Sequence, residues 1–233
     1  MITSVNRLVA DEEGLKCLLC HEPPCSKACP VASDPGAFLR AVRLRDTAGA
    51  ACLMRADNPL AAVCAVLCQQ ERYCERACVR NKLGSPVNIR VVHQYIAEQE
   101  TPCVYLAAAW QPTAAVWVDS PEAVAVCASL QRAGHAVTAV SERPLAEWFP
   151  VEARAYAEKD VADLAARGLT VAAPQDFDPS GFALRLVPAG SAPPDWEGAA
   201  VFDYARFADV KPVQRLRRLA DAVRRLLSEG GGV

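Results

Sequence analysis

Apolar residues follow two different spacings along the chain, and the spacing changes near residue 110. In the first hundred residues they recur every three or four positions, as at Phe38 and Val42, which is typical of amphipathic helices. After residue 113 they form short continuous runs, such as Ala114–Val118 and Ala136–Val140, separated by helical stretches. Runs of this kind are typical of buried parallel strands. The pattern therefore predicts an α-helical first part and an α/β second part.

Cap and break residues bound the helices expected in the first part. Residues 1–16 predict a short lead-in helix. Asp34, followed by Pro35, predicts the start of a helix running from Asp34 to Met54, because the first can cap and the second suits a first turn. Asn58-Pro59-Leu60 interrupts that helix, and a further helix is predicted from Val87 to Glu98.

The second part alternates strands with helices. Ser120-Pro121-Glu122 predicts the start of a helix that ends at Gly134, and a second helix is predicted over Val151–Arg167. Three more strand candidates follow the first two runs: Leu169–Ala173, Phe182–Val187 and Ala199–Phe202. This βαβαβ order predicts a small Rossmann-like domain built on a parallel sheet.

The tail from Lys211 to Ser228 has the pattern of a basic amphipathic helix, with apolar residues on one face and arginines on the rest. It is either a surface helix packed on its own domain or a docking helix for an acidic partner subunit. The patterns together divide the chain into a helical domain at 1–100, a linker at 101–112, a Rossmann-like domain at 113–209 and a C-terminal helix and tail at 210–233.

Charge and thiol content narrow the class of protein. The net charge of −2 and pI near 6.0 do not predict a nucleic-acid partner. No apolar stretch approaches the length of a membrane span, and Met1–Lys16 lacks the apolar core of a signal peptide. We therefore expect a cytoplasmic protein, in which cysteines act as metal ligands more often than they form disulfides.

Nine of the eleven cysteines lie in the first hundred residues, and eight of them form two runs. The first run is Cys17-x2-Cys20-x4-Cys25-x3-Cys29-Pro30, and the second is Cys64-x3-Cys68-x5-Cys74-x3-Cys78. Eight thiols in two close groups are the ligand count for two four-iron clusters, since each iron takes one soft thiolate. The runs predict a two-cluster electron-transfer module.

Three cysteines lie outside the two runs, and zinc is an alternative to iron as the metal that the runs bind. Cys52 falls late in a predicted helix and is interpreted as a buried structural thiol, while Cys103 and Cys127 are isolated and receive no role. A zinc-stabilised interaction protein is an alternative. Structural zinc modules usually show two Cys-x2-4-Cys hooks, and here only Cys17 and Cys20 have the two-residue spacing, while Cys64 and Cys68 have three residues between them.

The stretch from Cys17 to Gln94 resembles the N-terminal iron–sulfur domain shared by dihydropyrimidine dehydrogenase and the small subunit of glutamate synthase. Besides the cysteines, the matching residues include Asp57-Asn58-Pro59-Leu60 and Pro86-Val87-Asn88-Ile89. The resemblance implies an α-helical ferredoxin domain that holds two [4Fe-4S] clusters and passes electrons to or from a flavin.

The resemblance also implies a ligand set for each cluster. The first set is Cys17, Cys20, Cys25 and Cys78, and the second is Cys29, Cys68 and Cys74 with one further residue. His93 stands where the dehydrogenase has a glutamine ligand, and a neutral nitrogen ligand would raise the cluster potential, as in Rieske centres. Alternatively, His93 is a hydrogen-bonding neighbour and Cys64 is the ligand.

The same family continues into a flavin-binding domain whose glycine-rich fingerprint is missing here. The corresponding positions, Val118 to Ala123, contain no glycine, and Asp119 and Glu122 place negative charge where a pyrophosphate would bind. The acidic residue that would bind the ribose aligns with Ser141, and Glu142 is one position along. We therefore expect a degenerate, truncated FAD-type Rossmann half with no FAD or NAD in this chain.

These inferences favour a non-catalytic electron-transfer subunit, although the sequence leaves open whether the chain is itself an enzyme. Two [4Fe-4S] clusters would relay electrons between a flavin- or NAD(P)H-oxidising or ferredoxin-type partner and a catalytic subunit of a hetero-oligomeric oxidoreductase complex. The alternative is a small self-contained flavin-dependent NAD(P)H reductase of the glutamate synthase small subunit type. No catalytic residue is predicted in the chain.

Overall fold

The structure is a computed structural model that describes residues 4–99, 103, 113–191, 196 and 198–202. The chain divides into two units, Met1–Val104 and Tyr105–Val233. The predicted tail helix, Lys211–Ser228, lies outside the described residues.

The described residues of the first unit form α-helices and short 3₁₀ turns. The α-helices are α1 (Arg7–Leu15), α2 (Pro24–Lys27), α3 (Pro35–Arg43), α4 (Thr47–Asp57), α5 (Ala61–Leu67) and α6 (Ile89–Glu98). Side chains cap several of them: Asp34 accepts a hydrogen bond from the Ala37 N–H at the start of α3, and Asn88 does the same for Val91 in α6. The helices enclose a core that includes Phe38, Met54 and Ile96.

The predicted continuous helix from Asp34 to Met54 is wrong, because α3 ends at Arg43 and α4 begins at Thr47. Arg45 has a left-handed φ of 61°, which breaks the helical path. Asp46 then caps α4 by accepting a hydrogen bond from the Gly49 N–H at 2.7 Å. Apolar residues continue on both sides of this turn, so periodicity alone did not reveal it.

The second unit is built on a parallel five-stranded sheet. Its strands are β1 (Ala114–Val118), β2 (Val137–Ser141), β3 (Thr170–Ala172), β4 (Leu184–Pro188) and β5 (Ala200–Phe202). They are arranged in the order β3-β2-β1-β4-β5 with every neighbouring pair parallel. Helix α7 (Pro121–Arg132) follows β1, and α8 (Arg154–Ala166) follows β2. The predicted fold class, a helical domain followed by a Rossmann-like α/β domain, is confirmed.

Cys52 and Cys103 form a disulfide; their Cα atoms are 5.6 Å apart and the two residues are 51 positions apart in sequence. The interpretation of Cys52 as a buried structural thiol is therefore wrong, because Cys52 is half-buried and bonded to Cys103, a partner that the sequence did not suggest. This bond joins the segment that follows α6 to helix α4 within the first unit.

Among the described residues, no single helix has the length and apolar character needed to cross a membrane. Helices α4 and α5 satisfy that test by length and composition only as a pair, and the pair is bent by 90°.

Candidate iron–sulfur sites

Four of the predicted ligands line one open cavity in the first unit: Cys17, Cys20, Cys25 and Cys78. The cavity measures about 430 Å³ including the solvent at its mouth. Three of these cysteines come from the loop after α1 and from α2, and the fourth precedes the 3₁₀ turn Val79–Leu83. The fold thus brings the last thiol of the second run to the first three thiols of the first run.

Tight backbone turns shape the wall of this first cavity. Leu19, between Cys17 and Cys20, has a left-handed φ of 54°, which costs a side-chain-bearing residue roughly 1–2 kcal/mol. Such strain is found where the surrounding structure imposes it, often at functional sites. Arg43 of α3 supports the loop, since its Nη1 donates to the Cys17 carbonyl at 2.7 Å.

Cys25 is buried, and the turn that carries it is fixed to α3. The Ser26 hydroxyl donates a short hydrogen bond to Asp34 and accepts one from the Gly36 N–H at 3.1 Å. Asp34 also caps α3, so one carboxylate joins the cysteine turn to the helix start. Burial raises the pKa of the Cys25 thiol to about 11, so the metal-free thiol stays protonated at neutral pH.

The other predicted ligands line a second cavity of about 330 Å³, a volume that includes the solvent at its mouth. They are Cys29, Cys64, Cys68, Cys74 and His93. Burial raises the pKa of both Cys29 and Cys74. The Cys64 thiol donates a hydrogen bond to Cys68, which raises the pKa of Cys64 and lowers that of Cys68. Both candidates for the last ligand, Cys64 and His93, therefore lie at the same cavity.

His93 lies on α6 with its ring buried between Phe38 and Gln70. The Phe38 ring centroid is 5.4 Å from that of His93, and Gln70 Nε2 is 2.9 Å from His93 Nδ1. Neither His93 Nε2 nor Gln70 Oε1 has a hydrogen-bond partner among the described residues. Burial lowers the pKa of His93 to about 4, and the Ala61 carbonyl opposes this shift without making a well-formed hydrogen bond to Nε2. The imidazole is therefore neutral, as a metal ligand must be.

The donor chemistry of both cavities fits iron–sulfur clusters. Thiolates are the ligands such clusters use, and the side chains between the cysteines are largely apolar, including Leu39 at the first cavity and Phe38 at the second. Within the described ranges, no three His, Cys, Asp or Glu side chains are arranged to hold a single metal ion. Ligation by the named residues stays a prediction.

In the second unit, the crevice expected of a parallel sheet lies where the strand order reverses, between β1 and β4. Asp119 follows β1 and accepts a short hydrogen bond from the Ser191 hydroxyl, which follows β4. Ser120 caps α7 by accepting from the Ala123 N–H at 3.4 Å, and Pro121 has no N–H to offer. The segment that replaces the glycine-rich fingerprint is thus tied across the crevice by a carboxylate.

The end of β2 likewise offers no carboxylate at the aligned position. The Ser141 hydroxyl donates to the Arg143 carbonyl at 2.7 Å and accepts from Trp148 Nε1 at 3.0 Å. The Arg143 guanidinium lies 3.5 Å from the centre of the Trp148 ring, a cation–π contact. Sequence reasoning missed this cluster, because no spacing rule joins a strand end to a tryptophan in the next turn.

Residues 2–103 match the family described as dihydropyrimidine dehydrogenase domain II, 4Fe-4S cluster. The chain is 43% identical over 93 residues to the NAD-dependent dihydropyrimidine dehydrogenase subunit PreT of Salmonella typhimurium, and 41% identical over 93 residues to the Escherichia coli subunit of that name. Each match covers 40% of this chain and 22% or 23% of the relative. The chain therefore spans about a fifth of the length of these relatives. The resemblance predicted from the cysteine runs is confirmed: the N-terminal part of the chain is similar to the 4Fe-4S cluster domain of dihydropyrimidine dehydrogenase.

Proposed function

We propose that the chain is the electron-transfer subunit of an oxidoreductase complex and that two [4Fe-4S] clusters form its relay. The observation that carries this proposal is the interleaving of the two cysteine runs. Cys78 of the second run lies at the cavity of the first, and Cys29 of the first run lies at the cavity of the second. Two-cluster ferredoxins exchange a ligand between runs in a similar way.

The proposed ligands of the first cluster are Cys17, Cys20, Cys25 and Cys78, and those of the second are Cys29, Cys68, Cys74 and His93. When bound, each cluster would supply a site for reversible one-electron transfer. The chain's own residues hold the thiolates and line both cavities largely with apolar side chains. Ile89 lines both cavities, so the two sites share one wall residue. Such proximity favours electron transfer from one cluster to the other.

We propose that the second unit binds no FAD or NAD. The hydrogen bond between Asp119 and Ser191 spans the place where a dinucleotide would enter, and no glycine lets the backbone approach a pyrophosphate. A relay with no substrate site needs partners at both ends. The relatives of the first unit carry the name of dehydrogenase subunits, which supports a hetero-oligomeric complex with a flavoprotein or ferredoxin-type partner and a catalytic subunit.

Anaerobic purification of the full chain from its native host, with the copurifying proteins, tests the proposal. We expect about eight irons and about eight sulfides per chain, since two cubane clusters contain that number. We expect any flavin to remain with a partner subunit when the complex is dissociated. Zinc in place of iron, or about four irons per chain, would contradict the two-cluster relay. Flavin bound to this chain alone would favour the self-contained reductase.

A further inference from the structure

The wall of the second cavity contains a buried polar pair, Gln70 and His93, whose hydrogen bonding is incomplete. Gln70 is 2% exposed and His93 is 5% exposed. Their side chains contact each other at 2.9 Å, yet Gln70 Oε1 has no hydrogen-bond partner among the described residues, and His93 Nε2 has none of good geometry, although the Ala61 backbone acts on this ring. A buried polar atom without a partner costs about 1–3 kcal/mol, so two of them at one cavity indicate a missing group there.

The chemistry of the missing group selects one arrangement of this pair. The contact between ring and amide allows either side to donate, because the imidazole tautomer and the amide orientation can change together. If His93 Nδ1–H donates to Gln70 Oε1, the lone pair of Nε2 is free to bind iron, and the amide N–H group of Gln70 is free to donate to a cluster sulfur. Both unpartnered positions are then satisfied. Ligating histidines generally donate their other ring N–H to such an acceptor.

We propose that Gln70 is the positioning residue for His93 and that it donates a hydrogen bond to a sulfur of the second cluster. This inference rests on the proposed function. Gln70 is well placed for the role because its own backbone is fixed: its carbonyl accepts from the Tyr73 N–H at 3.0 Å and the Glu75 N–H at 3.1 Å, within the loop that holds Cys74. The same residue thus supports a thiol and the imidazole at one cavity.

Pulsed EPR of the photoreduced full chain, labelled with nitrogen-15 histidine, tests this assignment. We expect one cluster to show a coupled imidazole nitrogen that is lost in His93→Gln. We expect Gln70→Leu to lower the midpoint potential of that cluster, because a hydrogen bond to sulfur raises it. Gln69→Leu is the matched control: Gln69 is exposed, and the potential should stay unchanged. If Gln70→Leu loses the cluster, Gln70→Glu keeps the shape and the acceptor, and should retain the nitrogen coupling with a lowered potential.

The outcomes separate this inference from the function on which it rests. Two intact clusters without an imidazole coupling would overturn the role of His93 and of Gln70, while the relay would stand. Equal potentials in Gln70→Leu and Gln69→Leu would overturn the sulfur hydrogen bond. A protein without iron–sulfur clusters would instead contradict the proposed function itself.

Discussion

At the residue scale, Cys25 offers the sharpest test of the first ligand set. It is the most buried of the four thiols at its cavity, and Ser26 and Asp34 fix its turn. We expect Cys25→Ala to remove one cluster and about half of the iron, and to loosen the first unit, because cluster binding and folding are coupled. Iron analysis and circular dichroism check this. Cys127→Ala is the control, since it removes a buried thiol of the other unit; a Cys25→Ala protein with full iron would contradict the ligand assignment.

Cys127 itself predicts a pH dependence of stability in the second unit. Burial raises its pKa from 9.0 to about 12. Below pH 9 the thiol is protonated in both states, so its contribution to stability is fully present. As the pH rises from 9 toward 12, the unfolded thiol ionises first and that contribution is lost, by about 2 kcal/mol near pH 10.5.

Urea unfolding followed by tryptophan fluorescence measures this loss, because all four tryptophans belong to the second unit. We expect the stability difference between the wild type and Cys127→Ala to shrink between pH 8 and pH 10.5. A difference that stays constant over this range would show that the thiol ionises equally in both states.

At the residue scale, the sequence indicated the candidate cluster ligands but not the residues that contact and support them. Thiols are recognised by type and spacing, so the grouping of Cys17 with Cys78 could be anticipated through a family resemblance. The contact of Gln70 with His93 joins two residues 23 positions apart, and no periodicity predicts it. The disulfide of Cys52 with Cys103 was missed for the same reason.

At the scale of elements, Gly36 sets how closely α3 approaches Pro23, which lies between Cys20 and Cys25. A Cβ at this position would lie 2.7 Å from Pro23 Cγ, closer than real contacts allow. We expect Gly36→Ala to destabilise the first unit by about 1–3 kcal/mol and to lower the iron content of the first cluster. Gly181→Ala is the matched control, since its Cβ would meet nothing within 4 Å. Thermal unfolding and iron analysis measure both; equal losses in the two variants would contradict the close-approach argument.

The disulfide gives a second prediction at this scale. It closes a loop of 51 positions, and cross-linking of that length stabilises a fold by roughly 4 kcal/mol in the chain-entropy account. We expect Cys52→Ser to destabilise the first unit under oxidising conditions, and to leave it close to the wild type in excess dithiothreitol, where the wild-type bond is open. Urea unfolding in both buffers checks this. A loss of stability that persists unchanged in reductant would assign the effect to packing of Cys52 and not to the bond.

The strands were easier to predict than the helix boundaries of the first unit. A buried parallel strand is a continuous apolar run, and β1 was predicted with its observed bounds, Ala114–Val118. The turn between α3 and α4 depends on a left-handed Arg45 and on the Asp46 cap. Neither interrupts the apolar spacing, so the two helices were predicted as one.

At the scale of the whole molecule, the chain combines a domain similar to a 4Fe-4S cluster domain with a domain of Rossmann-like topology. The strand order β3-β2-β1-β4-β5 preserves the crevice between β1 and β4. What differs is the chemistry at its edge, where Asp119 adds a negative carboxylate and Pro121 has no backbone N–H to present. The absence of glycine from this segment is visible in the sequence because the fingerprint is local, whereas the hydrogen bond from Ser191 to Asp119 depends on the folded sheet.

That difference leads to a prediction about ligand binding by the full chain. We expect titration with FAD or NADH to produce no saturable change in tryptophan fluorescence, although Trp117 lies in β1 and Trp148 follows β2. If charge repulsion alone excluded the dinucleotide, Asp119→Ala would gain affinity. We expect no gain, because Pro121 still lacks an N–H and no glycine allows the backbone to approach a pyrophosphate. Saturable one-to-one binding by the wild type would contradict the proposed loss, whereas binding by Asp119→Ala alone would assign the exclusion to that single carboxylate.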